Sequence, residues 1–268
     1  GGIDSVLMAH LLAACGCKFD IAHCNFQLRG DEAAADQDFC RRLAAELHAG
    51  FHTINFDTLN YAAENKLSVQ MAARHLRYGW FEQLRAQHQY SVIALAHHQN
   101  DAIETILLNL TRGTGIAGLH GILPKNGFLV RPMLFLRRDE IEQIMQREHL
   151  PYREDSSNAS TKYARNKIRH QVIPVLKELN PALEETFVRN LEHFREMERL
   201  LEHELERQRS SFIDTAGGEV HIPLSVVRGL KPQRLLLFNL LKPYGYNQAQ
   251  ADDIIGVLDK HAGRVFET

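Results

Sequence analysis

The first 150 residues alternate between short apolar runs and longer segments with helical periodicity. The apolar runs predict buried strands at 19–24, 51–56, 90–96 and 128–131. The periodic segments predict helices at 4–15, 31–47, 69–88, 103–110 and 137–148. Strands that alternate with helices of this length are typical of repeated β–α units. The pattern therefore predicts an α/β fold, a parallel sheet flanked by helices.

The strand pattern ends near residue 172, and the rest of the chain has helical periodicity only. It predicts one long charged helix at 183–208 and two shorter helices at 233–241 and 248–260. We therefore expect two domains, an α/β domain over 1–172 and a smaller, mainly helical domain over 173–268.

Composition agrees with a globular protein of two domains. The chain has 268 residues, of which 44% are hydrophobic, enough for a sizeable core. Its net charge of −2 means that nucleic acid, if bound, contacts a local basic patch. No apolar run approaches the roughly 18 residues of a membrane span. The four cysteines form no C-x-x-C pair, which favours reduced thiols and a cytoplasmic protein.

Polar side chains follow the predicted strands at their carboxyl ends, which is the edge where a parallel sheet binds its ligands. His23 and Asn25 follow the first strand, and the stretch from His97 to Asp101 follows the third. Asp101, with Glu104 three residues later, is also compatible with a simple helix cap. We expect Asp4 and Asp101 at one edge of the sheet, with carboxylates within roughly 10 Å of each other if they share a metal.

The first five residues, Gly-Gly-Ile-Asp-Ser, lead directly into a helix. Gly1 and Gly2 let backbone N–H groups approach a phosphate, Ser5 adds a hydroxyl, and Asp4 could hold Mg²⁺. A Gly-Gly turn before a helix is, taken alone, more often an ordinary turn. Because the chain starts inside this loop and stops where the pattern of a new strand begins, we expect it to be a piece of a longer protein.

Two basic segments are candidates for anion binding. Arg74 and Arg77 lie three residues apart, and Arg165 and Arg169 lie four apart, so each pair shares a helical face. Guanidinium groups in such rows suit phosphate or carboxylate. The alternative for both pairs is a solvated helix face.

In combination, these motifs resemble the tRNA(Ile)-lysidine synthetase family. The opening loop is similar to the Ser-Gly-Gly-x-Asp-Ser loop of the N-type ATP pyrophosphatases, without its leading Ser. The stretch at 97–105, Arg112-Gly-Thr-Gly115, and the segments at 154–158 and 165–170 complete the resemblance. It is clear from residue 1 to about 181, and it implies an adenine-nucleotide α-hydrolase-like fold followed by a helical tRNA-binding or accessory domain.

The resemblance implies a ligase that uses ATP and Mg²⁺ to modify a tRNA in the cytoplasm. It would adenylate the wobble cytidine of an isoleucine tRNA with a CAU anticodon and join free L-lysine to C2, giving lysidine. The implied catalytic residues are Asp4, Arg77, His97 and Asp101, of which Asp4 and Asp101 would hold the metal. The implied ATP-binding residues are Gly1, Gly2, Asp4, Ser5, His23 and Asn25. The implied contacts to tRNA or lysine are Arg29, Arg74, Arg112, Asp155, Arg165 and Arg169.

Two departures from the family pattern leave alternatives open. Phe26 stands where the family commonly has His, and Asn100 stands where it commonly has Asp. A second hypothesis is another tRNA modifier with the same loop, such as a cytidine thiolase, although that class often uses C-x-x-C pairs. A third is a non-catalytic module that binds nucleotide or tRNA. No membrane partner is expected, and the oligomeric state is left open, with a homodimer among the options.

Overall fold

The computed structural model describes residues 1–28, 30–154, 164–212, 221–259 and 265–266. The chain divides into two compact units, Gly1–Glu192 and His193–Thr268. The predicted domain boundary at residue 172 stays a prediction, since this division falls later, inside a long helix.

The strands of the first unit form two small sheets. In the first, β1 (Asp20–Asn25) and β2 (Gly50–Asn55) are parallel. In the second, β3 (Ile93–Ala94) is parallel to β5 (Leu129–Val130), and β4 (Lys125–Asn126) is antiparallel to β5. All four predicted strands are present, although β3 and β5 are shorter than expected. The pattern missed β4, because two exposed residues before a turn carry no periodicity.

Helices surround these strands along the first unit. They are α1 (Ile3–Ala14), α2 (Asp31–Glu46), α3 (Thr58–Glu64), α4 (Val69–Gln87), α5 (Gln99–Arg112), α6 (Ile116–Leu119), α7 (Arg138–Arg147), α8 (Ala164–Lys167) and α9 (Ile173–Leu179). A π-helical turn, Ile168–Val172, joins α8 to α9. Helix α5 begins four residues before the predicted start at 103, because its first turn is polar and has no apolar repeat.

The core of the first unit is built on α1. Val6 and Leu7 are fully buried and pack with Ile141 of α7. Ile21 of β1 and Ala96, just after β3, pack against the same cluster. Burial of side chains of this size stabilises the fold by about 1.5–3 kcal/mol each. The two sheets therefore share one core, which fixes the start of α1 beside the end of β3.

The second unit is helical in the parts that the structure describes. Helix α10 (Leu183–Phe212) begins in the first unit and ends in the second. It is followed by α11 (Leu224–Gly229), α12 (Gln233–Leu241), a 3₁₀ turn (Lys242–Tyr244) and α13 (Gln248–Val257). Leu205 of α10 packs with Leu237 and Leu240 of α12 in the core of this unit. Among the described helices, none combines the length and apolar character needed to cross a membrane.

Candidate functional site

The start of α1 leaves room for a ligand above its backbone. Gly2 precedes the helix with φ −72° and ψ 158°, a conformation open to any residue. A Cβ added at Gly2 would meet no atom within 4 Å. The protein's own packing therefore does not require a glycine here, whereas a group that approaches the backbone closely would. The first turn of a helix also favours a negative charge.

His98 brings the two predicted metal carboxylates together. Its side chain is only 2% exposed. Its Nε2 atom lies 3.9 Å from Asp4 Oδ1 and 3.5 Å from Asp101 Oδ2, so the distance between those oxygens cannot exceed the sum, 7.4 Å. The expected juxtaposition of Asp4 and Asp101 is thus present. His98 was not among the predicted site residues, and the catalytic role predicted for its neighbour His97 stays a prediction.

Asp101 also caps its helix, which was the alternative that the sequence left open. It is the third residue of α5, and its Oδ2 atom accepts a hydrogen bond of 3.0 Å from the backbone N–H of His98. The sequence allowed Asp101 either the N-cap or the first turn, and the structure places it in the first turn, with His98 rather than Glu104 as its partner in the cap. The second oxygen, Oδ1, lies 3.4 Å from an Arg169 nitrogen.

Asp4 has an incompletely compensated charge. Arg138 donates to both carboxylate oxygens, at 3.0 Å and 3.2 Å. Burial nevertheless raises the pKa of Asp4 above its ordinary value, while His98 and Arg138 lower it and Asp101 raises it further. A divalent cation at this carboxylate would offset the unfavourable burial of its charge.

Glu104 anchors the arginines of the basic segment. It is 0% exposed. Arg169 donates to it through Nε at 2.5 Å and through a terminal nitrogen at 3.1 Å, and Arg165 Nε lies 3.4 Å away. Burial raises the pKa of Glu104 despite these partners. Burial lowers the pKa of Arg169, but the hydrogen bond from Arg169 to Glu104 more than offsets this and leaves the pKa of Arg169 above the usual range. This pair of arginines is therefore not a solvated helix face.

His97 lies among arginines. Burial lowers its pKa to about 4; Asp101 opposes this, while Arg131, Arg165 and Arg77 add to it. Within the described part of the chain, its Nδ1 atom has no hydrogen-bond partner, and neither do Nε of Arg77 and Nε of Arg131. His97 is therefore neutral at physiological pH and faces unpaired donors. Arg131, which the sequence reasoning did not select, follows β5 directly.

Two arginines of α4, Arg74 and Arg77, lie against one aromatic ring. The guanidinium carbon of Arg74 lies 4.7 Å from the centre of the Tyr78 ring, and that of Arg77 lies 5.3 Å from it. Arg74 is exposed. The electrostatic influence of Tyr78 and Arg74 on Arg131 shows that these groups are neighbours. A cationic surface thus adjoins His97.

The other predicted site residues are more dispersed. Ser5 is exposed in the first turn of α1. His23 Nδ1 lies 3.6 Å from the Cys40 sulfur, and Asn25 donates to Gln37 at 3.2 Å. Arg112 ends α5, eleven residues after Asp101, about 16 Å away along the helix axis. The remaining two predictions lie outside the described residues: Arg29 and Asp155.

The donor set fits Mg²⁺ with a bound phosphate better than an isolated metal centre. Among the described residues, no group of three His, Cys, Asp or Glu side chains is arranged to hold a metal ion. Mg²⁺ usually takes one or two carboxylates and completes its shell with water and substrate phosphates. Asp4 and Asp101 meet that requirement.

The cysteines are not arranged for sulfur chemistry. All four are free: Cys15 and Cys17 are exposed, and Cys40 is buried. Burial raises the pKa of Cys24 to about 12, with Arg77 opposing the shift, so its reactive thiolate is scarce at neutral pH.

Comparison with family models divides the chain into two matched regions. Residues 1–176 match the PP-loop domain. Residues 215–268 match the TilS substrate binding domain.

Curated relatives carry one common name, tRNA(Ile)-lysidine synthase. The protein of Parabacteroides distasonis is 40% identical over 99% of this chain and 60% of its own length. That of Porphyromonas gingivalis is 41% identical over 99% of this chain and 58% of its own length. That of Chlorobaculum tepidum is 37% identical over 98% of this chain and 82% of its own length. The chain thus spans about 60% of the length of the first two relatives.

A solved structure shares the fold. It is the U34-tRNA thiolase NcsA from Methanococcus maripaludis with its [4Fe-4S] cluster, with a TM-score of 0.60 over 73% of this chain and 70% of that chain. At 17% identity this likeness confirms the α/β fold alone. The family models and the relatives confirm the resemblance found in the motifs: the chain belongs to the tRNA(Ile)-lysidine synthase family and carries its PP-loop domain.

Proposed function

We propose that this chain uses ATP to adenylate the wobble cytidine of an isoleucine tRNA with a CAU anticodon and joins free L-lysine to it, forming lysidine. One observation carries the proposal: Asp4 at the start of α1 and Asp101 at the start of α5 face the same His98 nitrogen. Two helix N-termini and two carboxylates then converge where a nucleotide triphosphate needs positive potential and a metal. The names of the relatives supply the tRNA and the lysidine.

In the first half-reaction, the C2 oxygen of cytidine attacks the α-phosphorus of ATP. A P–O bond forms, the bond to the β-phosphate breaks, and pyrophosphate leaves. Since a carbonyl oxygen is a weak nucleophile, positioning and charge neutralisation must supply most of the rate. Gly1, Gly2 and Ser5 would bind phosphate through backbone N–H groups and a hydroxyl. His23 and Asn25, at the end of β1, would contact the nucleoside part.

Mg²⁺ would be held by Asp4 and Asp101, and when bound it neutralises phosphate charge and stabilises the departing pyrophosphate. The burial that raises the pKa of Asp4 supports a cation there. His98, whose Nε2 atom lies 3.9 Å from Asp4 and 3.5 Å from Asp101, would help to hold the two carboxylates in place.

In the second half-reaction, the ε-amine of lysine attacks C2, the C2–O bond breaks, and AMP leaves. The attacking nitrogen must lose a proton. The low pKa of His97 makes it a weak base. We therefore assign His97 a hydrogen bond to the reacting groups through its Nδ1 atom, which has no partner among the described residues, and the proton passes to the phosphate of the departing AMP.

The cationic surface beside His97 would bind the anionic parts of the substrates. Arg77 and Arg131 each hold an Nε–H donor without a partner in the described structure, which suits the lysine carboxylate or a tRNA phosphate. Arg165 and Arg169 could contribute only while shared with Glu104. The further substrate contacts in this proposal are Arg29, Arg74, Arg112 and Asp155.

The helical region would bind the tRNA. The match of residues 215–268 to a substrate binding domain supports a tRNA-binding role for the second domain, which we place at 173–268. ATP, lysine and tRNA as substrates make the cytoplasm the proposed location. The cysteines disfavour the alternative of a thiolation reaction, since the pKa of Cys24 is high and Cys15 and Cys17 lie at the opposite end of α1 from Asp4.

The test is pyrophosphate release measured with ATP and Mg²⁺, with lysine and tRNA(Ile) added or omitted in turn. We expect radiolabelled lysine to enter the tRNA in proportion to pyrophosphate released, and Asp4→Asn to abolish both. Pyrophosphate release with tRNA but without lysine incorporation would point to a different modification. If tRNA binds and no pyrophosphate is released, the chain is a binding module and the proposal is wrong.

A further inference from the structure

Asn100 links three helices through one amide group. It is the second residue of α5. Its Oδ1 atom accepts a hydrogen bond of 3.0 Å from the backbone N–H of Arg138, the first residue of α7. Its Nδ2 atom donates a hydrogen bond of 3.0 Å to Glu184 Oε1, near the start of α10.

The chemistry of the two partners allows only one orientation of this amide. A backbone N–H can only donate, and a carboxylate can only accept. The carbonyl oxygen of Asn100 must therefore face Arg138, and its amino group must face Glu184. An aspartate at position 100 could serve Arg138 but would place a second carboxylate against Glu184.

Glu184 is itself held firmly. It is 6% exposed, and Lys177 Nζ lies 2.5 Å from the same Oε1 atom that Asn100 contacts. A buried carboxylate that loses one of two donors is left partly unpaired, which is unfavourable. Glu184 therefore constrains Asn100 strongly.

Arg138 connects the pair of Asn100 and Glu184 to the proposed nucleotide site. Its backbone is fixed by Asn100, and its Nε donates to Glu142 at 2.7 Å. Its terminal nitrogen donates to Asp4 at 3.0 Å and 3.2 Å. Arg138 thus spans from the start of α7 to the carboxylate at the start of α1.

We propose that Asn100 and Glu184 form a positioning pair that fixes the first turn of α7 and so holds Arg138 against Asp4 for nucleotide binding. The pair lies outside the reacting atoms and acts through Arg138. The inference rests on the proposed function, because it takes Asp4 as a nucleotide-site residue.

The experiment exchanges donor and acceptor across the pair. The dissociation constant of MgATP is measured by titration calorimetry for Asn100→Asp, Glu184→Gln and the double variant, with melting temperatures beside it. We expect Asn100→Asp to weaken MgATP binding about tenfold or more and Glu184→Gln about threefold to tenfold. The double variant should return to within about threefold of the wild type. In that variant the new glutamine amide can donate to the new aspartate, whose carboxylate still accepts from the Arg138 backbone.

Asn109→Asp is the matched control. Asn109 also lies on α5 and donates to a backbone oxygen, that of Gly118, at 2.9 Å. Its substitution should lower the melting temperature and leave MgATP affinity unchanged.

Two results would overturn the pair: a double variant that binds MgATP as weakly as Asn100→Asp, or an Asn100→Asp variant that behaves like the control. If Asn100→Asp does not fold, the nearly isosteric Glu184→Gln decides alone, and unchanged affinity refutes the proposal. If the wild-type protein does not bind MgATP, both the proposed function and the positioning pair are refuted. If the wild-type protein binds MgATP tightly but the effects of the two substitutions simply add, only the positioning pair is refuted.

Discussion

His97 and His98 are adjacent in sequence but lie in different electrostatic surroundings. His98 lies between the carboxylates of Asp4 and Asp101, whereas His97 is influenced by three arginines as well as by Asp101, and burial lowers its pKa to about 4. The chain leaves β3 and enters α5 at this point, so consecutive side chains reach different sides of the same edge. The same edge thus has an acidic side suited to a metal ion and a side rich in arginine suited to anionic groups.

This contrast separates two tasks within one site. Carboxylates hold cations but repel the negative charges of ATP and tRNA, and arginines do the reverse. With the groups on two sides of a histidine pair, each can keep the charge that its task requires. Changes on the acidic side should affect chemistry most, and changes on the cationic side should affect binding.

The largest effect should come from Asp101→Asn. Asparagine can still accept from the His98 N–H and cap the helix, so the melting temperature should change little. Loss of a metal carboxylate should lower pyrophosphate release about 10³-fold. Asp57→Asn is the control, since Asp57 also accepts a hydrogen bond from a backbone N–H at the start of a helix, that of Asn60 in α3. Near-normal turnover of Asp101→Asn would make Asp101 a cap only.

Arg169→Gln should be the most destabilising change in the site. Glu104 is fully buried, and its shortest contact, 2.5 Å, is with Arg169. Removing that partner leaves a buried charge poorly compensated, at about 3–5 kcal/mol. Arg165→Gln, at 3.4 Å from the same carboxylate, should cost clearly less in urea unfolding. Equal losses would show that the two arginines share Glu104 evenly.

The low pKa of His97 predicts acid sensitivity. Between pH 6.5 and pH 4 the unfolded chain binds a proton at this histidine that the folded protein does not, so stability is lost as pH falls through this range. After allowance for partial exposure, we expect a difference of about 1–3 kcal/mol between wild type and His97→Gln across the range. The raised pKa values of Asp4 and Glu104 act in the opposite sense but are common to both proteins.

Melting curves against pH measure this difference, with His193→Gln as an exposed control that should follow the wild type. Parallel curves for wild type and His97→Gln would mean that His97 is not held neutral.

The smallest effect should come from Arg112→Gln. Arg112 is exposed at the far end of α5, so ATP affinity should be unchanged. If it contacts one tRNA phosphate, the slope of log affinity against log salt should become shallower by about 0.7–0.9, with a severalfold loss of affinity. Arg147→Gln, also exposed, is the control. Identical slopes for all three proteins would remove Arg112 from the tRNA contacts.

Local pattern predicted much of this site because much of it is local. Hydrophobic periodicity and the polar residues that follow each apolar run were enough to place the ends of β1 and β3 and the start of α1. Parallel topology then brought Asp4 and Asp101 to one edge. The position of His98 between the two carboxylates was out of reach, since it depends on how the backbone turns into α5.

The missed partners are distant in sequence. Glu104 meets Arg169 across 65 residues, and Asn100 meets Glu184 across 84. Arg138 reaches Asp4 across 134 residues. Such pairs depend on how whole helices pack, and the hydrophobic periodicity of a helix or strand does not predict them. Glu104 was visible in sequence only as a cap, because its burial depends on the same packing.

The central claim, that Asp4 and Asp101 act together on one nucleotide, is tested most directly by a double-mutant cycle. Pyrophosphate release is measured for Asp4→Asn, Asp101→Asn and the double variant at saturating ATP, tRNA and lysine. Residues that act as a unit lose their joint contribution when either is removed, so the double variant should be no slower than the slower single variant. If the two losses multiply, the carboxylates contribute independently, and the account of a shared nucleotide site is contradicted.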